Sequence, residues 1–171
     1  DITNKTLMVW ATMRSLGDVA VAGSLLTLDR VASDQFDGIV FGERQNNRWA
    51  SGSSFWNRTV DFTPGFEETE VGAPIHLAIA YETLPSNRMR VTAYRNGTRI
   101  GQYETGTPSS WSAGDAEVMF GIRHGNATDG GGGAVDALVD EARVYRQALS
   151  AIEIRQIVSP PVQGPVLTLR R

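Results

Sequence analysis

Short apolar stretches, cut apart by glycine, proline and polar clusters, dominate the chain; long helical periodicity is scarce. The run LMVWATM at Leu7–Met13 predicts a first, mostly buried strand. Leu25, Leu26 and Leu28 predict a second that ends at Asp29-Arg30, and Ile39-Val40-Phe41 a third after a polar loop. Arg48-Trp49-Ala50, Phe55-Trp56 and Val60-Asp61-Phe62 predict further short strands. In Ile75–Tyr81 large and small apolar side chains alternate around His76, so both faces are covered and the strand belongs in the middle of a sheet. The sharpest local signal is Met89–Tyr94, Asn96-Gly97, Thr98–Tyr103: Asn-Gly supplies the positive φ angles of a type I′ turn between antiparallel strands. Val91 and Ala93 then face the core, and Arg90, Thr92 and Tyr94 face outward.

Glu117–Ile122 predicts another buried strand, and Val135–Tyr145 the last long one. One helix is expected. Ser150 and Glu153 stand at capping-box spacing, Ile152, Ile154 and Ile157 supply an apolar stripe, and Pro160-Pro161 stop it. Val162–Arg171 is a tail or a returning strand. Many short strands with tight turns and one helix make an all-β sandwich or barrel.

Composition narrows this further. At 171 residues the chain is one domain, expected over 1–171 with 159–171 as its tail, and large enough to bury its own core. No cysteine is present, which excludes disulfides, thiol catalysis and Cys-ligated zinc. Sixteen basic against nineteen acidic residues give net −3, with no basic patch of the kind nucleic acid requires. No apolar run approaches the roughly 20 residues of a spanning helix, so membrane insertion is not expected. The first residue is Asp1 rather than Met, and the expectation is a piece processed or excised from a larger protein.

Four motifs carry a resemblance: Ile75-His76-Leu77-Ala78, Tyr94-Arg95-Asn96-Gly97, Phe120-Gly121-Ile122-Arg123, and Val139-Asp140-Glu141-Ala142-Arg143-Val144-Tyr145 followed by Ala148-Leu149-Ser150 and Glu153-Ile154. In this order they resemble the laminin-G-like branch of the concanavalin A-like lectin/glucanase superfamily, over roughly residues 7–158. Two departures stand out. Val135 and Ala137 replace an aromatic and a glycine, and the family's usual opening strand before position 1 is expected either to be replaced by the tail Val166–Leu169 or to lie on the part from which this piece was cut. The resemblance implies a jelly-roll β-sandwich of two antiparallel sheets, a fold that hosts lectins, hydrolases and adhesion modules alike.

The residues argue against catalysis. Hydrolases of this superfamily carry Glu-x-Asp-x-x-Glu on a strand, which puts three carboxylates on one face. Glu67-Glu68-Thr69-Glu70 lacks the Asp and reads as a solvated loop, and Glu141 points away from Asp136 and Asp140. His76 and His124 form no metal pair, and no nucleophile elbow occurs.

Alternation places Asp140 on the core side with Ala142 and Val144. A buried carboxylate needs hydrogen bonds, a cation or a proton. Two readings stand: Asp140 pins the preceding loop, or it holds a structural Ca²⁺ with Asp136, Asp129 and Asn126, as related sandwiches do at their rims.

Sugar rings stack on aromatic side chains flanked by polar groups. Trp49, Trp56, Tyr94, Tyr103 and Trp111 are the candidates, with Arg48 and Asn57 beside the first two. Core packing is the alternative for Trp49 and Trp56, and stapling of its loop the alternative for Trp111; Trp10 reads as core. The expected function is a non-catalytic recognition module for carbohydrate, extracellular, at the cell surface or periplasmic, attached to a larger protein. The alternatives are a protein-interaction, adhesion or spacer module of the same fold and, behind these, a glycoside hydrolase with an atypical site.

Overall fold

The computed structural model of the chain describes residues 1–16, 22–33, 35–52, 59–125 and 133–158. Among the described residues nine strands and one helix follow in order: β1 (Lys5–Met13), β2 (Gly23–Arg30), β3 (Phe36–Phe41), β4 (Trp49–Ser51), β5 (Pro74–Thr83), β6 (Met89–Arg95), β7 (Thr98–Thr105), β8 (Ala116–Gly121), β9 (Ala137–Tyr145) and α1 (Ala151–Val158). They form two antiparallel sheets, ordered β7-β6-β5-β1-β9 and β4-β3-β2-β8. The chain is thus a sandwich, and β5 is the middle strand of the larger sheet, as its doubly covered pattern requires.

The β6–β7 hairpin turns on Asn96 and Gly97 at φ of 48° and 76°, both left-handed, which suits Asn and Gly and matches the twist of the flanking strands. The Asn96 side chain adds a second function: its Oδ1 accepts from the His76 N–H at 2.8 Å, tying the turn to β5.

Between the sheets lies one apolar core built from alternating positions: Leu7, Val9 and Ala11 of β1, Leu77, Ile79 and Tyr81 of β5, Val91 and Ala93 of β6, with Leu25, Leu26, Ile39 and Phe41 opposite. Two polar links cross it. Lys5 Nζ of β1 meets Asp37 Oδ2 of β3 at 2.9 Å. The Tyr81 hydroxyl of β5 exchanges hydrogen bonds with the backbone N–H and C=O of Gly38, each at 3.1 Å.

The outer face of the larger sheet is covered as well. Helix α1 lies across it, burying Ile154 with Met8, Ala78, Ala80, Tyr94 and Leu149. Its capping box forms as expected: Glu153 Oε2 accepts from the Ser150 N–H at 2.7 Å, and Ser150 Oγ accepts from the Glu153 N–H at 3.3 Å. This helix explains why Tyr94, outward in the sheet, is buried.

Three expectations change. Glu117–Ile122 does not become a buried strand: β8 ends its sheet, and Val118 and Phe120, in the interior-facing row of Leu28, are 51% and 52% exposed. Strand β9 ends the other sheet on the same flank, where Val139 and Val144 also remain partly exposed. Val60-Asp61-Phe62 joins neither sheet, although Phe62 still packs into the core. Phe55-Trp56, the Gly-rich stretch 126–132, the Pro160-Pro161 stop and the tail with Val166–Leu169 lie outside the described residues.

Candidate functional site

Three strand ends meet at one end of the larger sheet: Met13 closing β1, Pro74-Ile75 at the start of β5 and Arg95 closing β6. The acidic loop 66–73 folds over them. Two bridges fix that loop. The Glu68 N–H donates to the Asn47 C=O at 2.9 Å, and Arg48 donates from Nη2 to Glu67 Oε2 at 3.1 Å and from Nη1 to the Pro64 C=O at 3.3 Å.

Glu68, expected in a solvated loop, is instead buried. A buried carboxylate survives only with charge-assisted partners. Here the Trp49 indole Nε1–H donates to Oε1 at 2.8 Å, and Arg95 forks onto both oxygens, Nε to Oε1 at 2.7 Å and Nη2 to Oε2 at 2.8 Å. The Arg95 guanidinium also lies 4.1 Å from the Phe66 ring centroid. Phe66 itself is exposed.

The result is a groove of about 310 Å³ lined by Phe66, Glu68, Thr69, Glu70 and Arg95, with Met13, Ala73 and Ile75 as its floor. An exposed aromatic ring, a fixed guanidinium, a hydroxyl and a free-standing carboxylate thus converge on one concavity. That set offers an apolar face to a ring's C–H groups and directional partners to its hydroxyls.

A second groove, of about 370 Å³, adjoins the first across the wall formed by residues 12–13 and 73–74. It opens on the outer face and is lined by Trp10, Thr12, Pro74, Leu138, Val139 and Asp140. Trp10, read as core, is only half-buried. It meets the His76 ring edge-on at 4.6 Å, and the Arg143 guanidinium lies 4.9 Å from its centroid. Burial, helped by the Arg143 charge, lowers the His76 pKa to about 4, so the ring is neutral near pH 7.

Among the described residues, the sequence-predicted aromatics Trp49, Tyr94, Tyr103 and Trp111 do not gather into a platform. Trp49 is buried against Phe41, with ring centroids 4.5 Å apart, and Tyr94 lies beneath α1. Trp111 is the staple of its loop: Nε1–H donates to Asp37 Oδ2 at 3.0 Å, and its backbone pairs with Ile2. Tyr103 is half-buried on Phe62, its hydroxyl bonded to Ser51 Oγ. Of the predicted polar partners, Arg48 positions the loop of the first groove, while Trp56 and Asn57 lie outside the described residues.

Two of the four calcium candidates, Asp140 and Asp136, lie among the described residues. Asp140 is exposed, not core-facing, for a definite reason: β1 and β9 pair Trp10 with Glu141 but Ala11 with Val139, which leaves Asp140 as the extra residue of a β-bulge. One inserted residue breaks the alternation that the facing argument assumed. Asp136 is exposed beside Arg14, at 3.7 Å. Asp129 and Asn126 lie outside the described residues. Among the described residues no group of three or more His, Asp and Glu is arranged to hold a metal ion.

Comparison with known proteins follows from this geometry. The family described as the concanavalin A-like lectin/glucanases superfamily matches residues 2–155. Among solved structures, domain 4 of AbnA, a GH43 extracellular arabinanase from Geobacillus stearothermophilus in complex with arabinotriose, is similar at a TM-score of 0.61 and 16% identity, over 92% of this chain and 68% of that one. The CBM40 of the Ruminococcus gnavus IT-sialidase, bound to α2,3-sialyllactose, is similar at 0.56 and 16% identity, over 92% and 83%. Trypanosoma rangeli sialidase is similar at 0.54 and 14% identity, over 91% of this chain but 22% of the enzyme. At these identities the likeness establishes the jelly-roll fold. None of the curated proteins matches the sequence.

Proposed function

We propose that this chain, which belongs to the concanavalin A-like lectin/glucanases superfamily, is a non-catalytic carbohydrate-recognition module. The observation that carries the reading is the first groove, where exposed Phe66 is set beside Arg95, Thr69 and Glu70. Carbohydrate-bound neighbours of the same fold, an arabinanase domain with arabinotriose and a sialidase module with sialyllactose, support it. The non-catalytic part is supported by Glu68, whose oxygens are both committed to Arg95 and Trp49, which leaves Glu70 without an uncommitted carboxylate partner among the described lining residues of the groove. An extracellular setting and attachment to a larger polysaccharide-acting or surface protein fit the same neighbours.

The test is a glycan and polysaccharide array probed with the wild-type chain and with Phe66→Ala. Saturable binding that the substitution weakens about tenfold is expected, the value of one ring contact. A blank array sinks the reading. A second reading, a protein-contact module, is favoured by the exposed flank of Val118, Phe120, Val139 and Val144. It would gain if Phe120→Ser abolished capture of a partner that Phe66→Ala left intact.

A further inference from the structure

The second groove, of about 370 Å³, falls within the size range of small-molecule pockets. Its wall carries an aromatic ring, Trp10, that is only half-buried. Two contacts hold that ring in place: His76 of β5 edge-on at 4.6 Å, and the Arg143 guanidinium of β9 at 4.9 Å. Leu138, 59% exposed, and Val139 continue the apolar surface beside it. Asp140 lines the same groove, where the bulge in β9 takes it out of the strand's alternation. A fixed ring, an apolar shoulder and an exposed carboxylate repeat the make-up of the first groove, where Phe66 stands with Glu70.

The two grooves follow one another along β1. Met13 floors the first and Trp10 walls the second, about 10 Å apart as extended strand. Ala73 and Pro74, consecutive in the chain, divide between them in the same way. That span exceeds one sugar ring and suits successive rings of a chain.

Charge limits what can lie there. Glu68 is answered by Arg95, and the flanking cations Arg14 and Arg143 pair with Asp136 and Glu141. Glu70 and Asp140 are exposed, and among the described residues neither carboxylate has a hydrogen-bond or ion-pair partner. The joint lining is therefore negative. Carboxylates accept from sugar hydroxyls, but they repel an acidic sugar within a Debye length, about 8–10 Å near physiological salt.

We propose that the second groove is a further binding subsite, and that a linear, uncharged oligosaccharide runs across both grooves with one ring on Phe66 and a later ring on Trp10. Glu70 and Asp140 accept from its hydroxyls, and acidic glycans are turned away. This inference rests on the carbohydrate reading of the first groove and names the ligand class that reading leaves open.

The experiment is calorimetric titration of the chain with xylo-, cello- and arabino-oligosaccharides from dimer to hexamer, with oligogalacturonides as the acidic series. In a neutral series that binds, affinity should climb about tenfold beyond the dimer and then level off. Trp10→Ala should erase that climb. Asp140→Ala, at an exposed position, tests the same dependence should Trp10→Ala not fold. Oligogalacturonides should bind about tenfold more weakly than neutral chains of equal length. Combining Glu70→Gln with Asp140→Asn should narrow that gap, as should added NaCl. Affinity independent of length overturns the proposal. So does a climb that survives both Trp10→Ala and Asp140→Ala, or acidic chains that bind as tightly as neutral ones. In those cases the carbohydrate reading stands, provided Phe66→Ala still weakens binding. Silence from both series and from the glycan array removes that reading and this inference together.

Discussion

Lys5 and Asp37 form an ion pair at 2.9 Å in which neither side chain has any exposed surface. The pair joins β1 of one sheet to β3 of the other. It is fully furnished with partners. Lys5 Nζ also donates to the Thr3 and Ser109 carbonyls at 3.1 and 3.3 Å and lies 5.0 Å from the Tyr81 ring centroid, while Asp37 takes the Trp111 indole N–H. Lys5→Met strands a buried carboxylate and is expected to cost about 3–5 kcal/mol, whereas Lys5→Met with Asp37→Leu should recover much of that loss. Urea denaturation of the two singles and the double measures both. An additive double would mean that the pair is not coupled.

His76 sets an acid limit on stability. Its folded pKa of about 4 lies below the unfolded value of 6.5, so between those values the unfolded chain binds one more proton. Stability is therefore held above pH 6.5 and lost as pH falls toward 4, by on the order of 3 kcal/mol from this group. The ring is enclosed by Trp10 and faces the Arg143 charge, which deepens the effect. Denaturant midpoints at pH 7 and pH 4.5 should converge for His76→Leu relative to wild type. Parallel losses in both proteins would rule His76 out.

Glu68 is expected to be structural and functional at once. Glu68→Gln removes the charge that the Arg95 fork and the Trp49 indole share, and should lower stability by about 2–3 kcal/mol. The Trp49 emission maximum should shift with it. Arg95→Lys keeps the charge but loses the fork and the planar contact with Phe66, so it should weaken glycan binding more than it weakens the fold. Denaturation and array binding on the same two variants separate these effects.

Much of the fold is legible in the sequence because alternation, the Asn-Gly turn and the capping box are local signals. The rest is not local. Leu-rich β2 and the apolar Val118-Met119-Phe120 of β8 look equally buried as strings, yet β8 is an edge among the described strands, and nothing in AEVMFG records how many strands lie beside it. Lys5 is the one lysine among sixteen basic residues, and lysine is by default exposed; only the approach of Asp37 from the other sheet makes its burial tolerable. The site fails for the same reason. Glu68 reads as one of three loop carboxylates, and its partners Trp49 and Arg95 lie 19 and 27 residues away. Phe66, two residues before Glu68 in that loop, was the visible clue: an aromatic with no apolar neighbours in sequence to bury it.

The helix cap offers a clean test of how the outer face is sealed. Ser150→Ala removes the hydroxyl that accepts from Glu153 and should cost about 1 kcal/mol. Because α1 covers Tyr94, hydrogen exchange at β6 should quicken along with exchange in α1. Exchange that quickens in α1 alone would mean that the helix is an ornament on an independently stable sheet.

The bulge at Asp140 also decides how the free flank behaves in company. An unpaired edge strand is a rail on which a neighbouring chain's strand can dock, and docking repeats without limit when the rail is straight. Here the rail carries a kink in its middle with a carboxylate on it, so an incoming strand loses register after a few residues. Deleting Asp140 is expected to straighten β9 and to promote edge-to-edge association, which light scattering against concentration would read.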